Sequence, residues 1–108
     1  MSYDVIIVGA GPAGMFASYE LSQKDIDILV IDKGKNVDDR SEGDIMSGIG
    51  GAGTFSDGTV NLRPDIGGNL SDYTNNDKEA WDLVKYIQNV LSKHGMPEPK
   101  RENKKKEI

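Results

Sequence analysis

Tyr3 to Val8 reads YDVIIV, a continuous β-branched apolar run of strand length, the kind buried on both faces of a parallel sheet. The run ends in glycine. From Pro12 to about Lys24 (PAGMFASYELSQK) the apolar positions recur three and four apart through Ala13, Phe16, Ala17, Tyr19 and Leu21, which predicts a helix. Pro12 suits its first turn, where the missing N–H is not needed. Ile26 to Ile31 (IDILVI) predicts a second strand. Strand, glycine turn, helix and strand within about thirty residues make a βαβ unit, whose strands should be parallel neighbours joined by a right-handed crossover.

After Asp32 the chain turns polar through KGKNVDDRSEGD and enters SGIGGAGTFSDG, residues 47–58, with five glycines. Thr59 to Leu62 is a short strand candidate, and 63–74 read as loop. Asn76 can cap a helix, with Glu79 three residues on in capping-box position, and that helix should run from Asp77 to about His94 before Gly95 and Pro97 stop it. Ala80, Trp81, Val84, Ile87, Val90 and Leu91 mark its apolar face, which places Trp81 in the core. The fold class expected is α/β: a Rossmann-like βαβ dinucleotide-binding unit over residues 1–95 with a C-terminal amphipathic helix, then a basic, frayed tail over 96–108. Two parallel strands leave sheet edges and apolar faces uncovered, so the domain reads as incomplete.

At 108 residues the chain suits one small domain. Its longest apolar run, Val5 to Ala10, is far shorter than a membrane-spanning helix needs, and no basic segment precedes it, so neither anchor nor signal peptide is expected. Cysteine is absent, which excludes disulfides, thiolate metal sites and cysteine nucleophiles, makes a metal centre unexpected and suits a reducing cytoplasm. Residues 1–95 carry eight basic and fifteen acidic side chains, net −7, whereas 96–108 carry five and three, net +2. Such a body repels nucleic acid.

Gly9-Ala10-Gly11-Pro12-Ala13-Gly14 fits G-x-G-x-x-G, a weak signal by itself that gains force from the strand before it, the helix after it and a carboxylate at the end of the next strand. Gly9 permits the tight turn, Gly11 leaves room for a pyrophosphate, and Gly14 lets the helix sit close to the strand. The free N–H groups of the first helical turn then face the phosphates. Asp32 follows Gly11 by 21 residues, placed to accept hydrogen bonds from the hydroxyls of an adenosine ribose, where a 2′-phosphate would meet negative charge. These residues would hold the ADP half of either NAD or FAD. His94, the single histidine, falls in the last helical turn, where it complements the dipole. Asp38, Asp39, Glu42 and Asp44 read as solvated loop charge, and no catalytic set emerges.

DVIIVGAGPAGMFASYEL followed by ILVIDKGK resembles the opening of the two-dinucleotide-binding-domain flavoproteins. In that family G-x-G-P-A-G, here Gly9, Gly11, Pro12, Ala13 and Gly14, and an acidic residue followed by lysine, here Asp32 and Lys33, hold FAD. GGAGTFSDGTVNL followed by GGNL is similar to a family of bacterial and archaeal FAD-dependent dehydrogenases, the likeness running from Tyr3 to about Gly95. It implies Arg40 near the pyrophosphate, backbone donors at Gly51, Ala52 and Gly53, and Phe55 with Ser56 close to the flavin. Two departures stand out. A cysteine-bearing stretch usual in the family before the glycine cluster is replaced by SEGDIM, Ser41 to Met46, and the family is several times longer. The resemblance therefore implies the FAD-binding N-terminal part of an oxidoreductase, with NAD or NADP as electron donor or acceptor and a further chain segment or complementing chain supplying the rest of the pocket. A catalytically silent nucleotide-binding module and an NAD-binding domain remain alternatives.

Overall fold

The computed structural model describes residues 2–99, which fall into two compact units, one ending at Thr59 and the other beginning at Val60. The first holds strand β1 (Val5–Val8), helix α1 (Pro12–Leu21) and strand β2 (Ile28–Ile31). The strands are parallel neighbours, Val5 opposite Ile28 and Val8 opposite Ile31, so the α/β class and the βαβ unit are both present. The ladder runs on into the turn, where the Gly9 N–H donates to the Ile31 carbonyl at 2.7 Å.

All three elements are shorter than their apolar runs. At the start of the sheet the Asp4 carboxylate accepts the Asp27 N–H at 2.8 Å, so a side chain takes a donor that a longer β2 would give to the ladder. Helix α1 stops at Leu21 rather than Lys24. Ser18 and Ser22 hydroxyls donate back to the Met15 and Tyr19 carbonyls, and Lys24 closes a tighter turn through its N–H to the Leu21 carbonyl at 3.0 Å. After β2 the chain forms short 3₁₀ turns at Val37–Asp39, Glu42–Asp44 and Gly51–Phe55. The middle one is a capping box closed by Ser41 and Asp44, with Lys35 bridging to Asp44 at 3.0 Å.

Thr59 to Leu62 does not form a strand. The Ser56 hydroxyl accepts the Gly58 N–H at 3.1 Å and the Asp57 carboxylate accepts the Thr59 N–H at 3.0 Å, bending the backbone into side-chain turns. Among the described residues the sheet has two strands, and an extended segment without a strand partner gains nothing from its pattern.

The second unit carries a 3₁₀ turn, Leu70–Tyr73, and helix α2 (Asp77–Lys93). Its cap is Asn76, whose side-chain oxygen accepts the Glu79 N–H at 2.8 Å, while the Glu79 carboxylate accepts from the Asn75 amide. The buried stripe runs through Ala80 and Val84, four apart. Trp81, expected in the core, is 50% exposed, because one residue along a helix turns a side chain about 100° away from that stripe. His94 ends the helix with its Nδ1–H donating to the Val90 carbonyl at 2.8 Å. No helix of the described residues is long and apolar enough to cross a membrane, and none of their His, Asp and Glu side chains gather in threes to hold a metal. The basic tail lies, from residue 100 onward, outside the described residues.

Candidate dinucleotide-binding site

Gly9 leaves β1 with φ +103°, a conformation that L side chains rarely adopt, and Gly11 caps α1 with extended backbone. Pro12 opens the helix, and the Met15 N–H donates to the Gly11 carbonyl at 2.9 Å. The N–H groups of Ala13 and Gly14 lie in the first turn, where no helical carbonyl precedes them to accept. A Cβ built on Gly11 would meet nothing within 4 Å, so the turn is open on that side. A Cβ on Gly14 would run into the Gly9 carbonyl and lie 3.3 Å from Ile7 Cγ2. One glycine therefore faces free space and the other sets the distance between α1 and β1.

Asp32 stands just past β2 and joins the two strand ends. Its Oδ2 accepts the Ala10 N–H and its Oδ1 the Gly34 N–H, each at 2.8 Å. The Ala10 N–H foremost, then that of Gly34, hold this carboxyl below its ordinary value, with Gly48 and the charge of Arg40 adding to the effect and desolvation opposing it. The carboxylate has four acceptor sites, so beyond the Ala10, Gly34 and Gly48 N–H groups one is left for a hydroxyl donor. Lys33 is exposed next to it.

A cleft of about 480 Å³ lies at the carboxyl ends of both strands, lined by Val8, Gly9, Ile31, Asp32, Lys33, Met46 and Ser47. That volume is within the range of small-molecule sites, and the ends of parallel strands are where open α/β sheets take their ligands. Met46 and Ser47 are wall residues that pattern reading missed. Nothing local marks them: the chain returns to the strand ends because Gly34 passes so close to Ser47 and Gly48 that a Cβ there would strike their backbone.

The second glycine cluster folds onto the first turn. The Gly50 N–H donates to the Ala10 carbonyl at 2.6 Å, and a Cβ on Gly51 would reach Gly11 Cα at 3.4 Å and Pro12 Cδ at 3.6 Å. Ala10, 1% exposed, is thus pinned by Asp32 at its N–H and by Gly50 at its carbonyl. Arg40 sits behind this loop, its guanidinium donating to the carbonyls of Lys35, Ile49 and Gly51 and lying 5.7 Å from the Phe55 ring centre. Phe55 is 47% exposed and Ser56 leads into the turn above, while Ala52 and Gly53 lie within the 3₁₀ turn. The structure therefore brings Gly9 to Gly14, Asp32, Arg40 and Gly51 into one assembly.

Residues 7–38 match the NAD(P)-binding Rossmann-like domain. That Rossmann-like segment holds the end of β1, all of α1 and β2, and Asp32. An uncharacterised protein of Clostridium beijerinckii is 35% identical over 72 residues, 54% of this chain and 14% of that protein. A share of that size reaches past the Rossmann-like segment. A thioredoxin reductase of Listeria monocytogenes is 59% identical over 32 residues, 30% of this chain and 10% of the reductase. The mitochondrial electron transfer flavoprotein-ubiquinone oxidoreductase of Oryza sativa is 46% identical over 43 residues, 34% of this chain and 8% of that enzyme. The chain spans between 8 and 14% of the length of the curated relatives it matches. No solved structure matches it. The resemblance to nucleotide-binding oxidoreductases read in the glycine turn thus stands on these partial matches as well, and the segment is of the nucleotide-binding kind.

Proposed function

We propose that the chain is the FAD-binding N-terminal part of an FAD-dependent oxidoreductase of the dehydrogenase type, with its own residues gripping the ADP half. The observation that carries this reading is the double pinning of Ala10. A glycine turn held on one side by Asp32 and on the other by a second glycine loop offers backbone from two segments around the place where a pyrophosphate would lie. The residues fit that group: Gly11 presents open space, and the N–H groups of Ala13 and Gly14 have the helix dipole behind them. Asp32, anionic and anchored, presents an acceptor to a ribose hydroxyl and repels a 2′-phosphate. Met46 and Val8, 75% and 79% exposed, give the cleft apolar walls suited to an adenine.

When bound, the flavin would supply hydride or electron transfer. Lys33 would balance phosphate charge, and Gly51, Ala52, Gly53, Phe55 and Ser56 would border the cofactor further along the second loop. Ile6, 57% exposed, is apolar sheet surface that further segments of the same protein or a complementing chain would cover.

Protein purified in the presence of FAD should retain it through gel filtration and show an oxidised-flavin spectrum, and Gly11→Val should abolish both by filling the open side of the turn. Tighter binding of NAD than of FAD would overturn the flavin assignment, a reading the family match to NAD(P)-binding domains keeps in view. A retained flavin that neither NADH nor NADPH reduces would mark a silent module.

A further inference from the structure

We propose that Arg40 is a positioning residue that locks the second glycine loop onto the dinucleotide turn through carbonyl contacts, rather than a counter-charge to phosphate. The geometry lies in two peptide units. The carbonyl of Ile49 accepts from Arg40 Nη2 at 2.9 Å, and the N–H of the same peptide unit, that of Gly50, donates to the Ala10 carbonyl at 2.6 Å. All described peptides are trans, so the two groups point in opposite directions and this one plane bridges Arg40 to the glycine turn. The carbonyl of Gly51 accepts from Nη1 at 3.4 Å, which aims the Ala52 N–H away from the guanidinium. Nε is spent on the Lys35 carbonyl at 2.9 Å, and one face of the guanidinium lies over Phe55.

Such an arrangement needs the planar fork of arginine. A lysine ammonium keeps the charge, but its three donors radiate from one nitrogen and cannot span the three carbonyls that Nε, Nη1 and Nη2 meet separately. The loop's other ties run along it or to Asp32: the Gly51 N–H donates to the Gly48 carbonyl at 2.9 Å, the Gly48 N–H faces Asp32, the Thr54 hydroxyl donates to the Ile49 carbonyl at 3.3 Å, and Gly48, Gly50 and Gly51 all have positive φ. Arg40 therefore decides which way the peptides of the loop face. The inference rests on the FAD reading only where it concerns affinity.

The test compares Arg40→Lys and Arg40→Gln with the unaltered protein by amide hydrogen exchange and FAD titration. In both variants the Gly50 amide should exchange about tenfold faster or more, as befits loss of hydrogen bonds to a charged group, while Ile7 and Leu29 in the sheet keep their protection. FAD affinity should fall by a similar factor in both. Affinity kept by lysine and lost by glutamine, with Gly50 exchange unchanged, would overturn the proposal in favour of a phosphate contact. Should either variant lose the sheet as well, the unaltered protein decides: its Arg40 Nε–H should exchange slowly and keep its chemical shift on addition of inorganic pyrophosphate. A shift there sinks the idea. If the unaltered protein binds no FAD, the flavin reading fails alone, and Gly50 exchange still judges the clasp.

Discussion

Gly14→Ala is the sharpest perturbation of the site, because two opposed effects meet at a single methyl group. In an open helix the change should stabilise by about 1 kcal/mol through helix propensity. Here the added Cβ would run into the Gly9 carbonyl oxygen, with the carbonyl carbon at 3.0 Å and Ile7 Cγ2 at 3.3 Å. Neither neighbour can yield cheaply. Gly9 is backbone at positive φ, tied to Ile31 by a 2.7 Å hydrogen bond, and Ile7 is β-branched within β1. Overpacking costs about 1–3 kcal/mol, and a clash with fixed backbone belongs at the upper end, so the balance is a net loss of about 2 kcal/mol. Helix α1 must move off the sheet, carrying the N–H groups of its first turn with it, and FAD affinity should fall about tenfold, the equivalent of one charge-assisted hydrogen bond. Amide exchange at Ile7 and Leu29 under rising urea reads the first unit directly. Ala17→Gly, on an exposed position of the same helix, calibrates propensity alone, at a loss of about 1 kcal/mol. Gly14→Ala protein more stable than the unaltered chain would refute the claim that this contact sets the spacing of α1 and β1.

Asp32 and Asn76 offer two further tests. The carboxyl of Asp32 is held below its ordinary value of 3.8 by the Ala10 and Gly34 N–H groups, so its contribution is present above that value and is lost as pH falls through the lower folded one. The Ala10 and Gly34 amide shifts should therefore titrate together with a midpoint under 3.8 and stop titrating in Asp32→Asn, which keeps one acceptor oxygen; a midpoint at or above 3.8 would contradict the bonding described. Asn76→Ala removes the acceptor for the Glu79 N–H and should cost α2 about 1 kcal/mol in thermal unfolding followed by circular dichroism, with Asn76→Asp restoring most of it. Equal stability of the alanine and asparagine forms would remove Asn76 from the capping role.

What the sequence makes legible is what residue type alone decides. The βαβ unit follows from an apolar run that changes period at a glycine, and α2 follows from a cap, a stripe and a glycine stop. Asp4 shortens the sheet and two serines shorten α1 because short polar side chains compete for backbone groups, a local effect that apolar periodicity does not register. Thr59 to Leu62 has a strand's composition, but strand formation is a property of two segments, and the neighbouring Ser56 and Asp57 take the N–H groups first.

The candidate site divides along the same line. Gly9 and Asp32 are legible because their spacing is imposed by one strand, one turn and one helix. Met46, Ser47 and the three carbonyls facing Arg40 depend on a loop of irregular backbone returning to the strand ends, and no side-chain pattern encodes which way a carbonyl points. The glycines nonetheless carry the trace of that return. Gly34 and Gly48 lie fourteen residues apart and touch, and Gly51 lies against Gly11, so residues that look like slack in the chain are the places where two stretches of backbone come within the radius of a methyl group. A flexible linker would tolerate alanine at Gly34 and Gly51, whereas a loop that closes a nucleotide site by backbone contact cannot admit one at Gly34 without moving away from the turn it covers.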